Sequence, residues 1–146
     1  MIDETPTLEE SEGIIYMEGV EDAIEPQLID AGDYRAEIIK AELQKSKNNE
    51  PMIRVVFKIH DTGLANPNLV VEYFMLITAN DDDEKRNNKN VRLKRFFRCF
   101  GYQLENGKLD LKKIDGLLGE VTLGVDPAKD GFDASNRVRK WNEPRF

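Results

Sequence analysis

The chain has one cysteine and one histidine in 146 residues. Cys99 alone excludes an internal disulfide framework, and with His60 as the only imidazole no Cys/His zinc constellation can be assembled. No apolar run approaches the roughly 18 residues that a membrane span needs. The start, "MIDETPTLEESEG", is acidic where a secretory leader would be basic and then apolar, so a cytoplasmic protein is expected. There is no calcium-loop spacing, phosphate-cradling glycine loop or Ser/His/Asp set. The most informative absence is of positive charge: residues 1–33 hold eleven acidic side chains and no Lys or Arg.

That absence divides the chain. The formal net charge is −7, yet the remainder carries all 21 basic residues against 17 of the 28 acidic ones, a net of +4. Residues 1–30 therefore read as an acidic N-terminal arm, partly disordered, and residues 31–146 as one domain that would bind nucleic acid. The arm is either a solvating tail, an interaction tail or a segment that competes for a basic surface on its own body. Within it, "GIIYMEGV" places apolar residues in a row, enough for a short strand or a docked segment.

In the body, Tyr34, Ala36 and Ile38 alternate with Arg35 and Glu37 before the phase slips at Ile39 to give Ile39, Ala41 and Leu43. A slip of this kind is what a β-bulge produces. "KSKNNEP" predicts a turn, with Asn48 and Asn49 tolerating positive φ. Met52 to His60 follows as a second strand, with Ile53, Val55, Phe57 and Ile59 on one face and Met52, Arg54, Val56, Lys58 and His60 on the other. Leu69 to Ile77 is a third, nearly all apolar. Leu93, Phe96, Phe97 and Phe100 share one helical face, with Gly101 as a C-terminal cap and the start at Asn90 or at an Asp81–Glu84 capping box. A further helical turn is expected in "DLKKIDGLLG", a fourth strand over Glu120–Val125 and a fifth over Ser135–Trp141. Three strands, a helix and two strands is the order of a mainly β fold, the five-stranded Greek-key OB barrel with a helix between strands three and four.

Arg54 and Lys58 sit on one face of the second strand, on the order of 13 Å apart at strand rise, a spacing that suits successive phosphates. Lys45 and Lys47 in the preceding turn extend that surface. Tyr73 and Phe74 point to opposite sides of the third strand, and the one that faces outward is a stacking candidate. Seven basic residues crowd positions 85–98, among them Lys85 and Arg86. Arg137, Arg139, Lys140 and Trp141 interleave cations with an aromatic ring, the combination by which single-strand binders neutralise phosphates and stack bases. Catalytic readings are thinner. The carboxylates of "NDDDE" would suit a divalent cation, and Glu42 with Lys45 invites a metal-dependent nuclease reading. Such pairs arise by chance in any charged domain, so no enzyme activity, metal or cofactor is expected.

Taken in order, "LIDAGDYRAEIIKAELQKSKNNEPMIRVVFKI", "LKRFFRCFGY", "LLGEVTLGV" and "SNRVRKW" resemble the small bacteriophage proteins of a domain-of-unknown-function family, DUF669. The shared elements are Gly-x-Tyr leading into the first strand, a Lys-Ser-Lys turn before Pro-Met-Ile, a helix ending Phe-Gly, Leu-x-Gly-x-Val and Asn-x-Val. The resemblance implies an OB-fold, non-catalytic binding of single-stranded DNA with little sequence preference, and protection of that DNA in phage replication or recombination. It implies partners among replication or recombination proteins, reached through the acidic arm, no membrane, and leaves a homo-oligomer open. A protein-interaction module of such a complex and a metal-dependent nuclease are the alternatives.

Overall fold

The computed structural model describes the backbone of residues 7–9 and residues 13–23, 27–65 and 68–144. Residues 1–6, 10–12 and 24–26 of the acidic arm lie outside them. Within the arm, β1 (Thr7–Glu9) pairs antiparallel with β2 (Ile14–Tyr16). Only Ile14–Tyr16 of the "GIIYMEGV" segment is a strand, and Ile14, Ile15, Tyr16, Met17 and Val20 are all exposed.

The body opens at Ile29, which is buried in the core and held on both its backbone groups by Asn136: Ile29 N–H donates to Oδ1, and Nδ2 donates to the Ile29 carbonyl, each at 2.8 Å. β3 (Gly32–Lys45) follows, and its pairing with β4 (Pro51–Ile59) slips between Ile38 and Lys40, the bulge that the change of apolar phase predicts. The connecting turn carries Asn49 at φ 63°. On β4, Ile53, Val55, Phe57 and Ile59 are buried, while Arg54 and Lys58 lie on the other face. β5 (Leu69–Met75) buries Val70, Glu72 and Phe74, so the only charged residue of this apolar strand points inward.

Helix α1 (Asp83–Cys99) begins about two turns before Asn90. Asp82 is its N-cap and accepts from the Lys85 N–H at 2.8 Å, with Asp83 and Glu84 in the positive first turn. Its end follows the expected glycine: Gly101, at φ 68°, donates to Arg98 O at 3.2 Å and Tyr102 donates to Phe97 O at 2.9 Å. The rings of Phe97 and Tyr102 meet at 5.5 Å, the apolar contact that accompanies this cap. A short α2 (Leu111–Ile114), β6 (Leu118–Asp126) and β7 (Ser135–Trp141) complete the chain.

The sheet order is β5-β4-β3-β6-β7, antiparallel throughout. This corrects the expected closed barrel: β5 and β7 are two edges of an open sheet with no ladder between them. The reason is Glu72. Its Oε2 accepts the Val138 N–H at 2.9 Å, so a carboxylate takes a β7 amide that closure would have given to a backbone carbonyl. The edges stay a side chain apart. The placement of the helix is corrected too. Counted along the chain α1 follows β5 rather than a third strand, because β1 and β2 precede the sheet; within the sheet it connects β5 to β6.

The curled sheet and α1 enclose an aromatic core. Phe74 stacks on Phe96 at 4.5 Å and Phe57 on Phe100 at 5.5 Å, while Trp141 contacts Phe57, Phe74 and Phe96 at 5.3–5.5 Å. Each fully buried Phe contributes about 1.5–3 kcal/mol by removal from water.

Candidate nucleic-acid interface

Burial along β5 settles the Tyr73/Phe74 alternative, which periodicity leaves open. Phe74 is 1% exposed and belongs to the core, whereas Tyr73 is 45% exposed on the outer face. Arg54 is the cross-strand partner of Tyr73, and Glu42 of Arg54, so the three stand in one row across β5, β4 and β3. Arg54 is held by Glu42 at 3.4 Å, and Glu42 also takes Lys40 at 3.5 Å. Lys58, farther along β4, lies between Glu37 and Leu69. Glu37 is engaged by His60 Nε2 at 3.0 Å, and Lys58 makes no ion pair among the described residues.

Tyr73 also lines a cleft of about 480 Å³ between the two sheet edges, with Leu69 and Val71 on its β5 wall, Ser135, Asn136 and Arg137 on its β7 wall and Leu28 from the incoming chain. Arg137 does not hang free in it. The guanidinium donates to both oxygens of Glu72, at 3.0 and 3.1 Å, and approaches Asp126 at 3.6 Å. Glu72 is itself fully buried and takes Arg92 Nη2 from α1 at 3.0 Å. One carboxylate therefore joins β5, β7 and α1 through four hydrogen bonds. These bonds hold the Arg137 guanidinium above its ordinary range. Burial pushes the Arg92 guanidinium the other way, and it lies 4.2 Å over the Phe74 ring.

The remaining candidates fall elsewhere. Arg139 and Lys140 line a second cleft of about 710 Å³ with Trp141, Arg95 and Arg98, but Asp33, Glu120 and Glu143 line it as well. Arg139 lies flat across Gly124, where any side chain would meet its Cγ, and ion-pairs with Asp126. Trp141 is half-buried against four core phenylalanines, a packing residue rather than a free stacking platform. Lys85 reaches Asp81 at 3.9 Å. Lys45, which closes β3 opposite Pro51 rather than standing in the turn, Lys47 in the β3–β4 turn, Arg86 on α1 and Lys140 make no ion pair among the described residues. Within "NDDDE", Asp82 caps α1, and Asp81 accepts from Lys89 Nζ at 2.8 Å and the Thr78 N–H at 2.9 Å, which hold its carboxyl down at about 2. Among the described residues no group of three or more His, Cys, Asp or Glu side chains is placed to hold a metal.

Sequence reasoning missed Glu72, whose signal was a lone carboxylate inside "LVVEYFM". It also missed Phe132, 78% exposed in the β6–β7 connection.

The chain belongs to the DUF669 family, described as a protein family of unknown function, whose profile matches residues 20–143. The match covers the whole five-stranded sheet and α1 and leaves out the β1–β2 hairpin. No curated protein matches the chain. No helix among the described residues is long and apolar enough to cross a membrane.

Proposed function

We propose that this protein binds single-stranded DNA, without catalysis and with little sequence preference, coating it during phage replication or recombination. The observation that carries the reading is Tyr73. It is an exposed ring at the lip of an open cleft, with Arg54 beside it in register and Arg137 on the opposite wall. A nucleobase stacks on such a ring while its phosphates meet the cations, and every base offers a π-face, so the contact is indifferent to sequence. Lys58 continues the cationic row along β4, Lys45 continues it from the end of β3 and Lys47 from the turn. Because Arg54 and Arg137 each share a carboxylate, the unpaired Lys58, Lys45 and Lys47 supply more of the affinity.

The test is an anisotropy titration of labelled single-stranded and double-stranded oligonucleotides. Tighter binding of the single strand supports the reading, and equal affinity for the duplex or none for either contradicts it.

A further inference from the structure

The β6–β7 connection exposes a phenyl ring that the interface above does not use. Lys129 and Phe132 exchange backbone hydrogen bonds at 2.9 and 2.8 Å across Asp130 and Gly131, whose φ values are 42° and 84°. Two positive φ values in an Asp-Gly pair make the tight hairpin turn that matches strand twist, so Phe132 is presented on a fixed support. It is the most exposed large apolar side chain among the described residues, at 78%. Asp130 and Asp133 flank it, and neither has a cationic partner among the described residues. The knob is apolar, and its rim sets two carboxylates, Asp130 and Asp133, against one cation, Lys129.

A surface of the complementary kind lies between the end of β5 and the first turns of α1. A pocket of about 330 Å³ is lined by Phe74, Met75, Lys85, Asn88, Lys89 and Arg92. An apolar cavity of ~150 Å³ already accommodates benzene, so a phenyl ring has room here. Lys85, Lys89 and Arg92 outnumber the two carboxylates that engage them, Asp81 and Glu72, so the rim keeps a net positive charge. Successive antiparallel pairings across the sheet make β5 and β7 run in the same direction. The turn bearing Phe132 precedes the start of β7, beside the start of β5, and the pocket sits past the end of β5. Knob and pocket therefore lie at opposite ends of one cleft. Such a pair meets between molecules, as a head-to-tail contact that repeats.

We propose that Phe132 of one copy seats in the α1/β5 pocket of the next, with Asp130 and Asp133 against Lys85, Lys89 and Arg92. Successive clefts then lie end to end. That alignment as a track for a single strand rests on the DNA-binding reading; the self-association does not. One ring and a few charges make a small contact, below the ~1,200 Å² of a stable interface, so the association is weak in free solution and cooperative on a shared strand.

The experiment is sedimentation velocity of the full chain over a concentration series, without DNA. The parent protein is expected to grow in mass with concentration without stopping at a dimer. Phe132→Ala, on an exposed turn, and Asn88→Trp, which fills the pocket from an exposed helix position, each weaken association about tenfold or more, with melting curves unchanged. Mixed in equal amounts the two variants form a dimer and nothing larger, because one intact knob and one intact pocket remain. A parent protein that stays monomeric, a Phe132→Ala variant that associates like the parent, or a mixture that stays monomeric overturns the proposal. So does a Phe132→Ala variant that loses affinity for an oligonucleotide too short for two copies, since the ring then contacts bases. Self-association without oligonucleotide binding would sink the DNA reading and leave this proposal standing.

Discussion

Arg137 on β7 grips Glu72 on β5 through two hydrogen bonds, Nε to Oε2 at 3.0 Å and Nη2 to Oε1 at 3.1 Å. The pair bridges two sheet edges between which no backbone ladder runs, and Arg137 and Tyr73 line the cleft beside it. Removing one partner of a buried ion pair leaves the other uncompensated, at a cost of about 3–5 kcal/mol. Glu72→Ala strands Arg92 and leaves Arg137 with Asp126 alone, so urea unfolding should register a loss at or below the lower end of that range, both guanidiniums being more than a third exposed. Glu72→Gln, which keeps an acceptor, should cost less. An unchanged midpoint for Glu72→Ala would mean that the edges are held by packing alone.

Tyr73 and Phe74 are neighbours with opposite roles. Tyr73→Ala should weaken oligonucleotide binding by roughly 1–3 kcal/mol per stacked base and leave stability nearly intact. Phe74→Ala should cost about 3–5 kcal/mol of stability, read from denaturant unfolding. A reversed pattern would place the nucleic acid on the core side of β5.

Asp81 sets the response to acid. Its carboxyl is held down at about 2 by Lys89 and the Thr78 N–H, below its unfolded value near 3.9. A depressed folded pKa gives stability that is fully present above the unfolded value and is lost as pH falls toward 2. The melting temperature should therefore fall between pH 4 and pH 2, and Asp81→Asn should flatten that fall while lowering stability at pH 7. Parallel pH profiles for variant and parent would show that Asp81 is not responsible.

Cys99 is buried, its Sγ within 3.2 Å of the Glu120 carbonyl, and burial pushes its thiol up to about 11. Since the thiolate is the reacting species, a thiol reagent at pH 8 should modify the native protein far more slowly than the urea-unfolded chain. Equal rates would show that the α1/β6 contact opens readily.

How much of this was legible in the sequence depends on whether the signal was local. The bulge near Ile39, the Asn49 turn and the Gly101 cap each announce themselves in a few residues. The start of α1 is marked only by carboxylates, the Asp81–Glu84 alternative standing one residue from the cap at Asp82; Asp83–Glu84 and the residues up to Asn88 are all exposed, so no apolar stripe marks the first two turns. β5 hid which of Tyr73 and Phe74 faces inward because both its faces carry apolar residues, and Trp141 looked like a platform because its partners lie far off in sequence. Barrel closure failed as an expectation for a like reason: strand order fixes which edges approach, but only Glu72 decides what passes between them. Arg54 and Arg137 were found as cations, while their carboxylate partners, Glu42 and Glu72, are set by strand register and long-range contact.

Lys58 gives the most direct test of the central claim, since among the described residues it is a β4 cation with no carboxylate of its own. Oligonucleotide affinity should be measured across a range of salt concentrations for the parent and for Lys58→Ala. Each phosphate contact on a single strand contributes a slope of about −0.7 in log affinity against log salt. The account predicts tight single-strand binding at low salt, a steep loss as salt rises, and a Lys58→Ala slope shallower by about that amount. No binding at low salt would contradict the account, and an unchanged slope in Lys58→Ala would remove the outer face of β4 from the interface.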